Sequence, residues 1–278
     1  MNRLQKLAAM VKERKADGLL IIEAEDLCYA TGFVGLEGMG MVTADGKGLC
    51  FTDSRYIEAA EKAIAPMGYQ VIDPKEGYPA VAAQVCREEK LETLLFEDAK
   101  MPVAEFRRYE AAVPAKLVPV EDGISRLRQV KEEVEVEHVV AAQRIAEKAL
   151  DELLPMIRPG AVERELAAEL DYRMARLGST GVSFQTIFVS GAKSSMPHGV
   201  PGDKKIEAGD FVTIDFGAMA GGYHSDMTRT FAVGQVDDFS KRIYDITLNA
   251  QLKALDALKA GITGKELDAI ARDYIAAH

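Results

Sequence analysis

The stretch TIDFGAMAGGYHSDMTRTF, residues 213–231, folds back on itself. β-Branched and aromatic residues run up to Ala220-Gly221-Gly222 and away from it, which is the pattern of a β-hairpin. With the turn centred between Ala220 and Gly221, Asp215 falls opposite Asp226. Directly opposed side chains have Cβ atoms roughly 4.5–5.5 Å apart, and two like charges there repel. Such a pair is tolerated if one carboxyl keeps a proton or if cations sit between them. Carboxylates at that spacing can reach two ions roughly 3.5–4 Å apart, as in two-metal hydrolytic sites. The plainer alternative is a polar hairpin with both aspartates in water. Val212, Ile214 and Phe216 on one strand, and Met227 and Phe231 on the other, argue against it, because they tie the hairpin to a core.

Upstream lies SSMPHGVPGDKK, residues 194–205, where Pro197, Gly199 and Pro201 shape a loop around His198. A histidine there can bind substrate or move a proton near neutral pH; the alternative is an ordinary surface histidine. His224 shares the strand face of Asp226. His138 lies in a charged helix and is expected to be solvated, and His278 is the last residue. Other chemistries lack their residues. No Gly-x-Ser-x-Gly elbow is present. GLEGMG (35–40) sits beside a hairpin rather than opening a helix, so it does not read as a phosphate loop.

Around the hairpin, the second half reads as helices covering an antiparallel sheet. One long helix is expected over residues 125–154, with the charge run KEEVEVEH as a solvated face. A second helix spans AVERELAAELDYRMARLG, and two more close the chain. The first half alternates helices and strands: Leu4, Leu7, Ala8 and Val11 recur at helical spacing, LLII (19–22) is a buried strand, and Asp45-Gly46 marks a hairpin. This is an α/β layer. The expected division is 1–124 and 125–278.

The 278 residues, with net charge -10, suit two domains and argue against nucleic acid and anionic membranes as partners. Cys28, Cys50 and Cys86 match neither a disulfide framework nor a zinc cluster, and read as free thiols. No secretion signal or membrane-length apolar run is evident, so the cytoplasm is the expected location.

FQTIFVSGAKSSMPHG followed by GDFVTIDFGAMAGGYHSDMTRTF resembles the Xaa-Pro peptidase family, the aminopeptidase P and prolidase group with the pita-bread fold. YATGFVG, FTDSRYIEAAEKA and VKEEVEVEHVVAAQRIAEKAL are similar to that family's N-terminal domain and joining helix, and GITGKELDAIARDYI to a later helix. The resemblance implies an α/β N-terminal domain followed by an α+β pita-bread catalytic domain. It further implies that Asp215 and Asp226 are metal ligands to two divalent ions, most often Mn2+, with Co2+ or Zn2+ as alternatives. Asp226 would bridge, and His198 would contact the substrate or the charge developing at the scissile bond. The implied substrates are proline-containing peptides or dipeptides, cut before proline by a homodimer. The family's other ligands, a histidine and two glutamates, fall after His278. The expectation is therefore a catalytic domain incomplete at its C-terminus and inactive as it stands. A non-catalytic binding module on the same fold, or metal-free hydrolysis of the creatinase type, would not need both aspartates.

Overall fold

Leu4, Leu7, Ala8 and Val11 are buried along α1 (Arg3–Glu13), whose first turn is closed by a capping box between Asn2 and Gln5. The computed structural model describes residues 2–278, which divide into two compact units at Val136/Glu137. In the first unit, β1 (Gly18–Ile21) is buried along its whole length, as expected of a central strand covered on both faces. It lies between antiparallel β2 (Met39–Thr43) and parallel β5 (Thr93–Phe96). β3 (Gly48–Phe51) closes the hairpin with β2, β4 (Tyr69–Ile72) runs parallel to β3, and β6 (Lys116–Pro119) runs parallel to β5. The sheet order is β4-β3-β2-β1-β5-β6.

Helices cover both faces of this sheet. α1, α2 (Ala24–Thr31), α3 (Ile57–Ile64) and α6 (Gly123–Gln129) pack on one side through Leu7, Leu27, Ile64 and Ile124. α4 (Tyr78–Glu88) and α5 (Val103–Ala112) pack on the other through Val85 and Tyr109. α2 and α5 are additions to the sequence-based expectation. α5 buries only Tyr109, so it has no apolar stripe to betray it. Burial pushes the Cys50 and Cys86 thiols up to about 11, in keeping with unreactive free cysteines.

The long helix expected over 125–154 is two helices. Val130 is extended, and α7 (Glu133–Leu153) starts anew. The charge run is a solvated face only in part: Lys131, Glu133 and Glu137 are exposed, but Glu132 and Glu135 are drawn into the fold. Glu135 is 1% exposed, and its carboxylate accepts the Glu132 N–H at 2.7 Å, which closes the helix start. Arg3 lies 3.5 Å from Glu132 and 3.7 Å from Glu135, and Lys6 donates to Glu132 at 2.7 Å. Ile124 and Leu127 of α6 enter the first core.

Glu97 follows β5 and is 6% exposed; one oxygen accepts the Ile124 N–H and the other has no hydrogen-bond partner among the described residues. Burial, with nearby Asp26 adding to it, holds its carboxyl above the ordinary value of 4.5. A carboxyl raised in the folded state loses stability for the protein as pH climbs from the unfolded value through the folded one. Glu97→Gln is therefore expected to gain stability relative to the parent between pH 4 and pH 7. Denaturant midpoints of both proteins at the two pH values measure it, and a gap independent of pH would contradict the assignment.

In the second unit, β7 (Ile187–Ser190), β8 (Phe211–Phe216) and β11 (Met227–Ala232) form an antiparallel sheet in the order β11-β8-β7. β9 (Met219–Ala220) and β10 (Tyr223–His224) extend the β8–β11 hairpin to its tip. α7 and α8 (Glu163–Arg176) cover one face: Ala146, Leu150 and Leu153, with Leu166 and Leu170, pack on Phe188, Val212, Ile214 and Phe216. α9 (Asp238–Ala257) and α10 (Gly264–Ala276) pack against each other.

Candidate metal centre

β8 buries every second residue. Val212, Ile214 and Phe216 are fully enclosed, while Thr213 and Asp215 lie half-buried on the opposite face. On β11 and the two residues before it the same alternation holds: Ser225 and Met227 are buried, Asp226 and Thr228 exposed. Both aspartates thus stand on the face away from α7 and α8.

Their pairing differs from the expectation. Asp215 faces Thr228 across β11 and Ile187 across β7, and Thr228 Oγ1 donates to Asp215 Oδ1 at 2.8 Å. Asp226 sits two residues before Thr228, diagonal to Asp215. The turn explains the shift. Gly221 and Gly222 both have positive φ, 57° and 80°, so they form the two central positions of a tight hairpin turn of the kind glycine favours. Ala220 pairs with Tyr223 and Met219 with His224. Moving the centre by one residue shifts every partner by two, and the faces are kept. Diagonal neighbours stand roughly 7–8 Å apart. That relieves the repulsion of a direct carboxylate pair and leaves room between the side chains.

Between the two parts of the hairpin the ladder is interrupted. Ser225 bonds Ala218 by its amide and also accepts the Ala218 N–H on its hydroxyl, both at 2.9 Å. Gly217 and Ala218 turn their carbonyls to Ser183, whose amide and hydroxyl donate at 2.9 and 2.8 Å. Asp226 leaves the chain at this irregularity.

His198 is exposed on a turn between β7 and β8. Gly199 is buried beside it, and a Cβ there would come within 2.8 Å of Val189 Cγ1. Val189 pairs with Thr213, so it stands on the aspartate face. The His198 loop is therefore laid over the same side of the sheet as Asp215 and Asp226. His224 is exposed near the hairpin tip.

His138, expected in water, is half-buried instead. Its ring stacks on Tyr223 at 5.6 Å and occupies the space beside Gly221 where a Cβ would go. Sequence spacing could not pair a helix residue with a turn so distant in the chain. Thr228 was equally invisible, because its role depends on the register.

The chemistry of the donors suits a hard divalent cation. Two aspartates and threonine hydroxyls present oxygen ligands on one face. Among the described residues no group of three His, Cys, Asp or Glu side chains is placed to hold a metal.

Comparison with known proteins identifies the family. Residues 137–278 match the model of metallopeptidase family M24, and residues 3–130 match the creatinase/prolidase N-terminal domain. The chain is 38% identical over 276 residues to the uncharacterized peptidase YqhT of Bacillus subtilis (strain 168), covering 99% of this chain and 77% of that one. It superposes on the Xaa-Pro dipeptidase from Bacillus anthracis with a TM-score of 0.93 at 36% identity, covering 99% of this chain and 77% of that one. For the X-Pro aminopeptidase from Thermotoga maritima MSB8 the TM-score is 0.89 at 34% identity, with 97% and 77% covered. The chain belongs to metallopeptidase family M24, with a creatinase/prolidase N-terminal domain ahead of a pita-bread domain.

Proposed function

We propose that this protein takes part in metal-dependent hydrolysis of Xaa-Pro peptide bonds, in dipeptides or at the N-termini of longer peptides, and that Asp215 and Asp226 are metal ligands. The observation that carries the reading is the pair of aspartates on one face of the β8–β11 hairpin, with the His198 loop laid over that face. Bound divalent ions, Mn2+ first among them, would acidify a water and polarise the carbonyl before proline.

The chain's own residues divide the work. Asp215 is held by the Thr228 hydroxyl at 2.8 Å, which fixes its rotamer and leaves its second oxygen to bind. Asp226 stands at the break in the ladder, where its position is set by the Ser225–Ala218 bonds. His198 would meet the substrate or donate to charge developing on the carbonyl oxygen. The reading includes a homodimer in the cytoplasm that binds neither nucleic acid nor membrane. The charge of -10 supports the exclusion of nucleic acid and anionic membrane, the three free cysteines support the compartment, and the homodimer rests on the family resemblance alone. Among the described residues no helix is long and apolar enough to cross a membrane.

The resemblance implies a histidine and two glutamates as further ligands. A polypeptide without those ligands is expected to hold Mn2+ weakly and to turn over no Xaa-Pro peptide. A polypeptide carried on through those ligands is expected to cleave Xaa-Pro dipeptides and oligopeptides only with metal present. Chelator-treated and Mn2+-loaded samples of both, assayed side by side, test the proposal. Absence of metal-dependent cleavage by the longer one would overturn it, and absence of bound metal would favour a binding module instead.

A further inference from the structure

Glu163 opens α8 on the covered side of the second unit, and its side chain is entirely buried. A buried carboxylate needs all its lone pairs occupied, and here four donors converge on it. Oε1 accepts the Ser190 amide at 2.8 Å and the Ser190 hydroxyl at 2.9 Å. Oε2 accepts Lys193 Nζ at 2.7 Å and the Gly202 amide at 3.1 Å. Ser190 is the last residue of β7, and Gly202 lies beyond His198. One side chain therefore ties together both ends of the segment that carries His198. The backbone repeats the attachment, since Arg164 N–H donates to the Gly202 carbonyl and Glu163 N–H to that of Lys204, each at 3.1 Å.

We infer that Glu163 is a positioning residue, a buried clamp that closes the 190–202 loop and sets where His198 stands over the Asp215 face. The inference rests on the functional reading of His198 given above. Inside the loop, Gly199 supplies the second anchor by its contact with Val189, 2.8 Å from where a Cβ would be. Between these anchors the segment has, among the described residues, short-range bonds of its own, such as Met196 N–H to the Lys193 carbonyl and Gly199 N–H to that of Met196. The two backbone bonds hold only the far end of the loop, so removing the charge that joins Ser190, Lys193 and Gly202 loosens the neck. Burial opposes ionisation of Glu163, but the bonds from Lys193, Ser190 and Gly202 outweigh it and hold the carboxyl below its ordinary value. The clamp is thus closed at neutral pH.

The test compares the parent, Glu163→Gln, His198→Ala and the double variant, with Ser190→Ala as a milder change that keeps the charge. Hydrogen exchange is followed through the loop. Glu163→Gln is expected to raise exchange of amides 191–202 at least about tenfold while β8 and α7 amides stay protected. Ser190→Ala should raise it less, and mainly near residue 191. In the metal-loaded longer enzyme, Glu163→Gln should lower kcat/KM about 10-fold to 100-fold, the range for residues that support a functional group. The double variant should be no worse than His198→Ala alone. Unchanged loop exchange in both Glu163→Gln and Ser190→Ala overturns the clamp. Multiplied losses in the double variant show that Glu163 acts apart from His198 and overturn the positioning role. If His198→Ala alone leaves turnover intact, the functional reading of His198 fails, and the positioning role with it, whatever the exchange shows.

Discussion

Asp215→Asn is expected to lower kcat/KM for Xaa-Pro peptides by about a thousandfold in the metal-loaded longer enzyme, a loss of about 4 kcal/mol in transition-state stabilisation. Asparagine keeps the shape and can still accept from Thr228 Oγ1, which donates to Asp215 at 2.8 Å. It replaces a charged, two-oxygen donor by one neutral carbonyl oxygen, and hard divalent ions bind that far less well. The variant is also expected to be no less stable than the parent without metal. Asp215 and Asp226 share a face, and removing one of two like charges relieves repulsion. The two effects separate in a thermal shift. A ligand at 100 times its Kd stabilises by about 2.7 kcal/mol, so Mn2+ should raise the midpoint of the parent and much less that of Asp215→Asn. Equal Mn2+ stabilisation of both proteins would remove Asp215 from the metal site.

Gly217→Ala should be the most destabilising glycine substitution in the second unit, costing about 3 kcal/mol or more. Gly217 is not among the glycines with positive φ, so its requirement is one of space. A Cβ there would overlap the Ser225 backbone carbonyl and come within 2.8 Å of Ser183 Oγ. Ser183 could rotate, but Ser225 is held in the ladder by two bonds to Ala218. The strands must part at the point where Asp226 leaves the chain, so metal affinity should fall together with stability. Gly181→Ala is the matched control: its Cβ would meet only Met219 Sδ at 3.4 Å, and about 1 kcal/mol or less is expected. Denaturation midpoints at unchanged slope measure both. A Gly217→Ala protein as stable as the control would refute the close approach.

Periodic patterns made much of this fold legible in the chain. β1 covers most of the apolar LLII run, and β2 and β3 close around Asp45-Gly46. The core face of β8 follows from Val212, Ile214 and Phe216 alone. Local signals failed where partners are remote. KEEVEVEH has the composition of a solvated face, yet Glu132 and Glu135 are taken by Arg3 and Lys6. The break after Gln129 is hidden because helical propensity runs on through residues whose capping and pairing belong to tertiary structure.

The candidate site divides in the same way. The residue types at 198, 215 and 226, and the alternation that keeps both aspartates on one face, are properties of the sequence, because a strand has period two whatever it packs against. The register was decided by the fold. Two successive glycines in positive φ moved the turn centre by one residue and made the aspartates diagonal instead of opposed. Tertiary structure also brought Glu163 to both ends of the His198 loop and His138 beneath Tyr223. Those pairings join residues far apart in the chain. They exist only after helices have docked on the sheet, so no spacing within the sequence could encode them legibly.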